Sequence, residues 1–328
     1  MRAAVFTTPG EVEVAEVPDP APAADEVVID VAAVGICGTD LHILDGDFNS
    51  TLPIVPGHEF AGVVMAVGSE VSTLTVGDRV GVDPSHICGR CRPCRRGRTN
   101  LCEVAGGYGT TWNGGAAEFA AIRERHCVRL PDSIETGAAT LIEPLSCAIR
   151  GYDVARASIG DRALIYGAGT MGLMMLQLAK LTGLAEVHVV DISTDRLVAA
   201  TELGCTSTAT SADDLPHRSW DLVIDASGSA AAIQDGIPRV ERGGTYLQFG
   251  VPPSATQVVI EPYRIYHEEI TVTGSMATLN SYARAVDLFA TGAIDPSFFI
   301  SDRFPLAEYP AALEAVRAGA GRKVQVLP

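Results

Sequence analysis

The sequence predicts an α/β chain of two domains, a β-rich one followed by a doubly wound parallel sheet. Three observations predict it. The chain has 328 residues, room for two cores at roughly 150 residues per domain. From Arg2 to about Glu143 it reads as short β-branched runs split by Gly and Pro, the texture of turn-rich β structure. Beyond about Leu145, apolar strands alternate with Gly turns and helical periodicity, which is how βαβ units and a parallel sheet announce themselves.

In chain order, β-branched runs predict strands over 27–34, 61–67, 79–82 and 118–122. The second domain is predicted to open with a strand over 163–166, a helix over 170–181, a strand over 187–190 and a helix over 194–203. Further strands follow over 221–226, 245–249 and 270–273. Helices over 281–291 and 308–318 then lead to a terminal strand over 323–326, and this last segment is expected to return to the first domain. The expected division is therefore 1–144 with 276–328 against 145–275.

Apolar residues make up 47% and charged residues 20% of the chain, the balance of an ordinary folded protein rather than a disordered one. With 24 Lys and Arg against 40 Asp and Glu, the net charge is −16. Such a molecule repels phosphate backbones and acidic lipid surfaces, so neither a nucleic-acid nor a membrane partner is expected. The first twenty residues lack the uninterrupted apolar core of a signal peptide, and the most apolar later run, 172–179, is too short to span a bilayer. The expected location is cytoplasmic.

Gly167, Gly169 and Gly172 form G-x-G-x-x-G, with Thr170 and Met171 between the last two, directly after a predicted strand and opening a predicted helix. The first Gly allows a tight turn, the second a close backbone approach to a pyrophosphate, and the third close packing of helix on strand, with the helix N-terminus facing the anion. Asp191 closes the next strand, where a carboxylate accepts hydrogen bonds from the adenosine ribose hydroxyls and repels a 2′-phosphate. NAD rather than NADP is the expected coenzyme. Arg196 can soften that preference or serve as a locally paired surface residue.

Cys88, Cys91, Cys94 and Cys102 have the spacing C-x2-C-x2-C-x7-C, which lets one loop wrap four thiolates around a tetrahedral Zn²⁺ with no open position, a structural site. The lobe is expected over 86–103. Arg90, Arg92, Arg95, Arg96 and Arg98 offset its negative charge. A dispersed second set comprises Cys37, His58, Glu59 and Glu143, each a good zinc ligand type. Three such ligands with an open place for water or substrate make a catalytic site.

Taken together, C-G-T-D-x-H, G-H-E, the four-Cys lobe, E-P-L, G-A-G-T-M-G and Asp191, in this order, resemble the zinc-dependent medium-chain alcohol dehydrogenases, in the polyol (sorbitol-type) and threonine dehydrogenase branch. The resemblance covers nearly the whole chain. It implies a partly open, GroES-like β-barrel domain carrying the catalytic zinc and a Rossmann domain binding NAD, with the active site in the cleft between them. Cys37 and His58 resemble two zinc ligands, and Glu59 the carboxylate that binds the metal or sits beside it. Glu143 takes a third-ligand position, reaching zinc directly or through water. Thr39 resembles the relay hydroxyl, with His42 next on the proton's path to solvent. Phe249, Gly250, Val251, Gly274 and Ser275 resemble segments that hold the nicotinamide.

The implied reaction takes hydride from a secondary alcohol, a polyol or cyclic polyol, to NAD⁺ and leaves a ketone. Ala277, Thr278 and Ile43 stand where sorbitol enzymes carry Arg, Tyr and Tyr, and losing those polar groups argues against sorbitol itself. Ile43 and Trp112 are expected at the substrate pocket, Trp112 otherwise being a buried aromatic. An L-threonine 3-dehydrogenase or other amino-alcohol dehydrogenase shares nearly all these motifs. A non-catalytic NAD- and zinc-binding protein is the remaining alternative. The resemblance also implies a homotetramer or homodimer.

Overall fold

Strand Glu26–Gly35 is Val-rich and buried along most of its length, as a strand covered on both faces must be. In the computed structural model, which describes residues 1–104, 106–319 and 321–328, this strand organises the first of two units. Glu59–Val67 runs antiparallel to it along its length. Phe119–Arg123 pairs with its first half, and Lys323–Leu327 takes its far end at Val34 and Gly35. Arg79–Val82, Cys127–Arg129 and Ile300–Pro305 complete a seven-stranded sheet. The unit comprises Met1–Ser146 with Thr278–Pro328, so the end of the chain is built into the sheet of its beginning.

The core of this unit gathers Phe6, Ile29, Val34, Ile54, Phe60, Ile122, Tyr309 and Val326, among others. Arg2–Thr8 and Glu11–Glu16 form a separate antiparallel hairpin, an element absent from the expected strand set.

The second unit, Cys147–Ala277, holds six parallel strands. Their order is Ser207–Ala209, Glu186–Val190, Arg162–Tyr166, Trp220–Asp225, Val240–Gln248, Thr271–Gly274. Numbered within the unit this is 3-2-1-4-5-6, the doubly wound Rossmann order, whose direction reverses between the first and fourth strands. Helix Thr170–Thr182 follows the first strand, buries Leu173, Met174, Met175, Leu176 and Leu178, and stops at Gly183 in the left-handed conformation, a favoured helix terminator. The division falls within a single helix, Ile142–Ala155. Among the described residues no helix is long and apolar enough to cross a membrane.

Candidate active site and metal centres

Sheet register, rather than sequence proximity, assembles the first site. Gly35 pairs with Glu59 across two antiparallel strands, so the chain leaving one strand at Cys37 lies beside the chain entering the other at His58. Cys37 caps the short helix Gly38–Leu44. Its backbone N–H donates to Asp40 Oδ2 at 2.8 Å, and the Asp40 N–H donates back to the Cys37 carbonyl at 3.1 Å. This reciprocal pair locks the turn that carries the thiol. A Cβ on residue 35 would overlap Glu59 Oε2, so the carboxylate needs glycine at that position.

The ligand atoms of Cys37, His58 and Glu59 lie within 4.8 Å of one another, and His58 and Glu59 are buried. A thiol, an imidazole and a carboxylate are the donor types of catalytic zinc. Asp40, fully buried, places Oδ1 3.5 Å from His58 Nδ1, and neither atom has a hydrogen-bond partner. Burial works against a charge on His58, but the Asp40 carboxylate and the Cys37 sulfur outweigh it and hold its pKa well above the usual histidine value. The pocket is built for positive charge, and Asp40 is poised to orient the imidazole of a bound metal.

Two residues of this site were not singled out in the sequence. Asp40 stands inside the C-G-T-D-x-H motif without an assigned role. Lys323 gives no local signal at all, since R-K-V-Q-V reads as an ordinary strand. Its ammonium is buried and donates to both Glu59 oxygens, at 2.8 and 2.7 Å, and to the Ile36 carbonyl at 3.2 Å.

Glu143 stands in the first turn of helix Ile142–Ala155 and is buried, but it is not part of the three-residue group. Its charge acts on Lys323 and Tyr282. Thr39 Oγ1 is 3.7 Å from Cys37 Sγ. His42 is half-buried on the same helix, three residues on, the spacing that puts two side chains on one helical face. Ile43, expected at the substrate pocket, lies instead in the apolar core at 1% exposure, because one further residue rotates the helix toward the sheet.

Trp112 packs against His86 with the rings tilted at 44° and 3.9 Å between centroids, and Arg123 lies over the Trp112 ring. It lines a cavity of about 650 Å³ with Val5, Pro53, Tyr108 and Phe119, and none of Cys37, His58 or Glu59 lines that cavity. Thr278 is buried and shares a 3.0 Å hydrogen bond with Ser85.

The four lobe cysteines bring their sulfurs within 4.8 Å of one another, and all are free thiols. The Cys88 N–H donates to Cys102 Sγ and the Cys91 N–H to Cys88 Sγ, at 3.4 and 3.3 Å. Backbone amides of Arg90 and Cys91 hold the Cys88 thiol down at about 6, while burial pushes Cys94 up to about 12. Four reduced sulfurs held this close, two of them accepting from backbone N–H groups, form a donor set that a cation completes. It fits structural zinc.

In the second unit the three glycines meet three different demands. Gly167 has φ +99°, which side-chain-bearing residues rarely adopt, and a Cβ at Gly172 would overlap the Gly167 carbonyl. A Cβ at Gly169 would meet nothing within 4 Å, so open space lies in front of the helix N-terminus, where an anion belongs. Asp191 is buried; Oδ2 accepts from the Ala168 N–H at 2.7 Å and Oδ1 from the Ser193 N–H at 2.8 Å. Arg196 donates its backbone N–H to Ser193 in the cap of the next helix. Phe249 and Gly250 bond to the Asp225 carbonyl at 3.0 and 2.7 Å, and Val251 is 73% exposed. A Cβ at Gly228 would strike the Val251 backbone, so these residues lie against the end of the fourth strand. Gly274 ends the last strand, and the buried Ser275 hydroxyl has no partner.

Residues 23–132 match the family described as Alcohol dehydrogenase GroES-like domain, and residues 170–291 match Zinc-binding dehydrogenase. D-arabinitol dehydrogenase 1 of Uromyces fabae is 34% identical, over 100% of this chain and 97% of that protein. D-altritol 5-dehydrogenase of Agrobacterium fabrum is 34% identical over 94% of each. A protein of Sinorhizobium meliloti 1021 described as a zinc-binding dehydrogenase, solved bound to NADP, superimposes with a TM-score of 0.96 at 33% identity. The match covers 100% of this chain and 99% of that one. The chain belongs to the zinc-dependent medium-chain alcohol dehydrogenase family, in its polyol dehydrogenase branch.

Proposed function

We propose that this chain oxidises a secondary hydroxyl of a polyol to a ketone, with NAD⁺ as the hydride acceptor. The observation that carries this reading is the grouping of Cys37, His58 and Glu59, three catalytic-zinc donors within 4.8 Å of one another in a chain that also holds a complete dinucleotide turn. When bound, zinc polarises the substrate hydroxyl and the nicotinamide takes up hydride.

The protein's own groups supply the rest. Cys37 and His58 hold the metal, and Asp40 keeps the His58 ring in its ligating orientation. Thr39, beside the thiol, accepts the hydroxyl proton and donates its own onward, and His42, half-buried on the same helix, passes it to solvent. Gly169 and the helix start behind it receive the pyrophosphate, and Asp191 the adenosine ribose. Similarity to enzymes named for arabinitol and altritol supports an open-chain polyol. The absence at Ala277 and Thr278 of the Arg and Tyr that sorbitol enzymes carry argues for one other than sorbitol.

The test is reduced-coenzyme formation from NAD⁺ and from NADP⁺ across open-chain polyols, cyclic polyols, simple secondary alcohols and L-threonine, with and without a zinc chelator. Chelator-sensitive turnover of a polyol is expected; turnover of L-threonine alone would move the chain to the amino-alcohol reading.

The S. meliloti neighbour bound to NADP points away from NAD, whereas the buried Asp191 carboxylate beside the turn opposes a 2′-phosphate. We therefore expect NAD⁺ to be preferred, and Asp191→Asn, which keeps the shape and one acceptor, to shift the NAD/NADP ratio of kcat/KM by about 100-fold toward NADP, since like charges brought together at an interface cost several kcal/mol. An unchanged ratio would remove Asp191 from this role.

A further inference from the structure

The helix that carries Thr39, Asp40 and His42 is fastened by an element from the far end of the chain. Helix Tyr309–Arg317 buries Tyr309, Ala312 and Leu313, an i, i+3, i+4 stripe. That stripe joins the core that also holds Ile43 and Leu44, and the helix packs on helix Gly38–Leu44. At its last residue Arg317 grips Asp45, which caps helix Gly38–Leu44, through bonds of 3.0 and 2.7 Å. At its first residue stands Tyr309, fully buried, its ring centroid 6.3 Å from that of Phe6.

Asp40 Oδ1, His58 Nδ1 and the Tyr309 hydroxyl are all buried and have no hydrogen-bond partner among the described residues. An unpaired buried donor or acceptor is costly, so each of the three calls for a partner in the working protein. Their bonding capacities are complementary. Asp40 already accepts from the Cys37 N–H through Oδ2, and a carboxylate has room for further donors at its other oxygen. His58 Nδ1 stands 3.5 Å from Asp40 Oδ1. Burial first, and then the Asp40 charge, push the Tyr309 phenol well above its ordinary pKa, so it stays protonated and can only gain by donating to that charge.

We propose that Tyr309 is a positioning residue of the metal centre, its phenol donating to Asp40 Oδ1 and so steering the carboxylate that orients the His58 ring. The inference rests on the zinc dehydrogenase reading above, but its readout is metal binding, which needs no turnover. Asp40 then serves three donors. The Cys37 N–H sets the turn that carries the thiol, the His58 Nδ1–H sets the imidazole, and the phenol sets Asp40 itself. With the Arg317–Asp45 pair at its other end, the C-terminal helix holds Cys37, Thr39 and His42 in register with the strand that begins beside His58.

The experiment uses the full chain with zinc kept in the four-cysteine lobe and Co²⁺ placed in the catalytic site. Co²⁺ affinity by chelator competition, the visible Co²⁺ spectrum and the melting temperature are read for the wild type, Tyr309→Phe, Asp40→Ala and the double variant. Tyr309→Phe deletes one oxygen and keeps the ring in the core. It is expected to lower Co²⁺ affinity about 5-fold, less than the roughly 10- to 100-fold lost with a direct partner of a ligand, and to shift the spectrum. In the Asp40→Ala background it should change neither. Wild-type Co²⁺ affinity and spectrum in Tyr309→Phe overturn the proposal, most plainly with a raised melting temperature, since removing a hydroxyl that has no partner relieves its burial. A 5-fold loss that persists in the double variant also overturns it, because Tyr309 would then act through a group other than Asp40. Should Asp40→Ala fail to fold, Tyr309→Phe alone decides by affinity and spectrum. Wild-type protein that oxidises no alcohol but shows the expected affinities would sink the dehydrogenase reading and leave this inference standing.

Discussion

Cys37→Ala is expected to lower kcat/KM by at least about 10³-fold while leaving NADH affinity within about 2-fold of wild type. The magnitude follows from the role: a Lewis acid on a developing oxyanion contributes several kcal/mol, and each 1.4 kcal/mol is tenfold in rate. The selectivity follows from the architecture. Cys37 belongs to the unit Met1–Ser146 with Thr278–Pro328, and the dinucleotide turn to Cys147–Ala277. The substitution also keeps the backbone bond from the residue 37 N–H to Asp40, so the turn itself survives. Metal analysis should show one zinc lost per chain, with the four-cysteine lobe retaining its own. If NADH affinity collapsed together with activity, or if thermal stability fell by many degrees, Cys37 would be a folding residue and the catalytic assignment would fail.

What could be read from the sequence follows contact distance along the chain. The glycine turn, its acid and the four-cysteine lobe are local: each is written within about 25 residues, and the physical demands on them fix residue type at fixed spacing. Regular elements were legible for the same reason, so that the helix expected over 170–181 is Thr170–Thr182 and the strand expected over 79–82 is Arg79–Val82. Cys37 and His58 were legible as types but not as neighbours; only the antiparallel register of Glu26–Gly35 with Glu59–Val67 brings them together. Lys323 was not legible at all, because nothing near it in the sequence differs from a plain β-strand. Its meaning comes wholly from pairing with a strand near the other end of the chain.

The residues expected at the substrate pocket illustrate the opposite failure. Ile43 was placed by its position after His42, yet one step along a helix turns a side chain by about 100°, and the structure puts it in the core. Trp112 has the size and amphipathic character of a pocket residue, but its ring is engaged by His86 and Arg123. Glu143 shares the electrostatic environment of Lys323 without entering the three-ligand group. In each case residue type was informative about chemistry and silent about direction.

The dinucleotide turn offers the second large effect, and it comes as a contrast between two glycines three residues apart. Gly172→Ala would drive a methyl group into the Gly167 carbonyl, a backbone atom that cannot move without unseating the turn. Overpacking of this kind costs about 1–3 kcal/mol or more, and the strain falls on Gly167, whose φ of +99° already excludes compensation by most residues. NAD(H) affinity should fall at least about 100-fold, and the melting temperature should fall with it. Gly169→Ala differs physically: its φ is −73°, which alanine tolerates, and the added methyl touches no protein atom within 4 Å. It projects only into the space before the helix N-terminus. If that space is where the pyrophosphate lies, Gly169→Ala weakens NAD(H) binding by about 10-fold or more with the melting temperature unchanged, whereas Gly172→Ala lowers both. Isothermal titration with NADH beside thermal melts separates the two. Full NADH affinity in Gly169→Ala would mean that the coenzyme phosphates approach some other part of the sheet's carboxyl edge, and the glycine turn would then be left with a packing role alone.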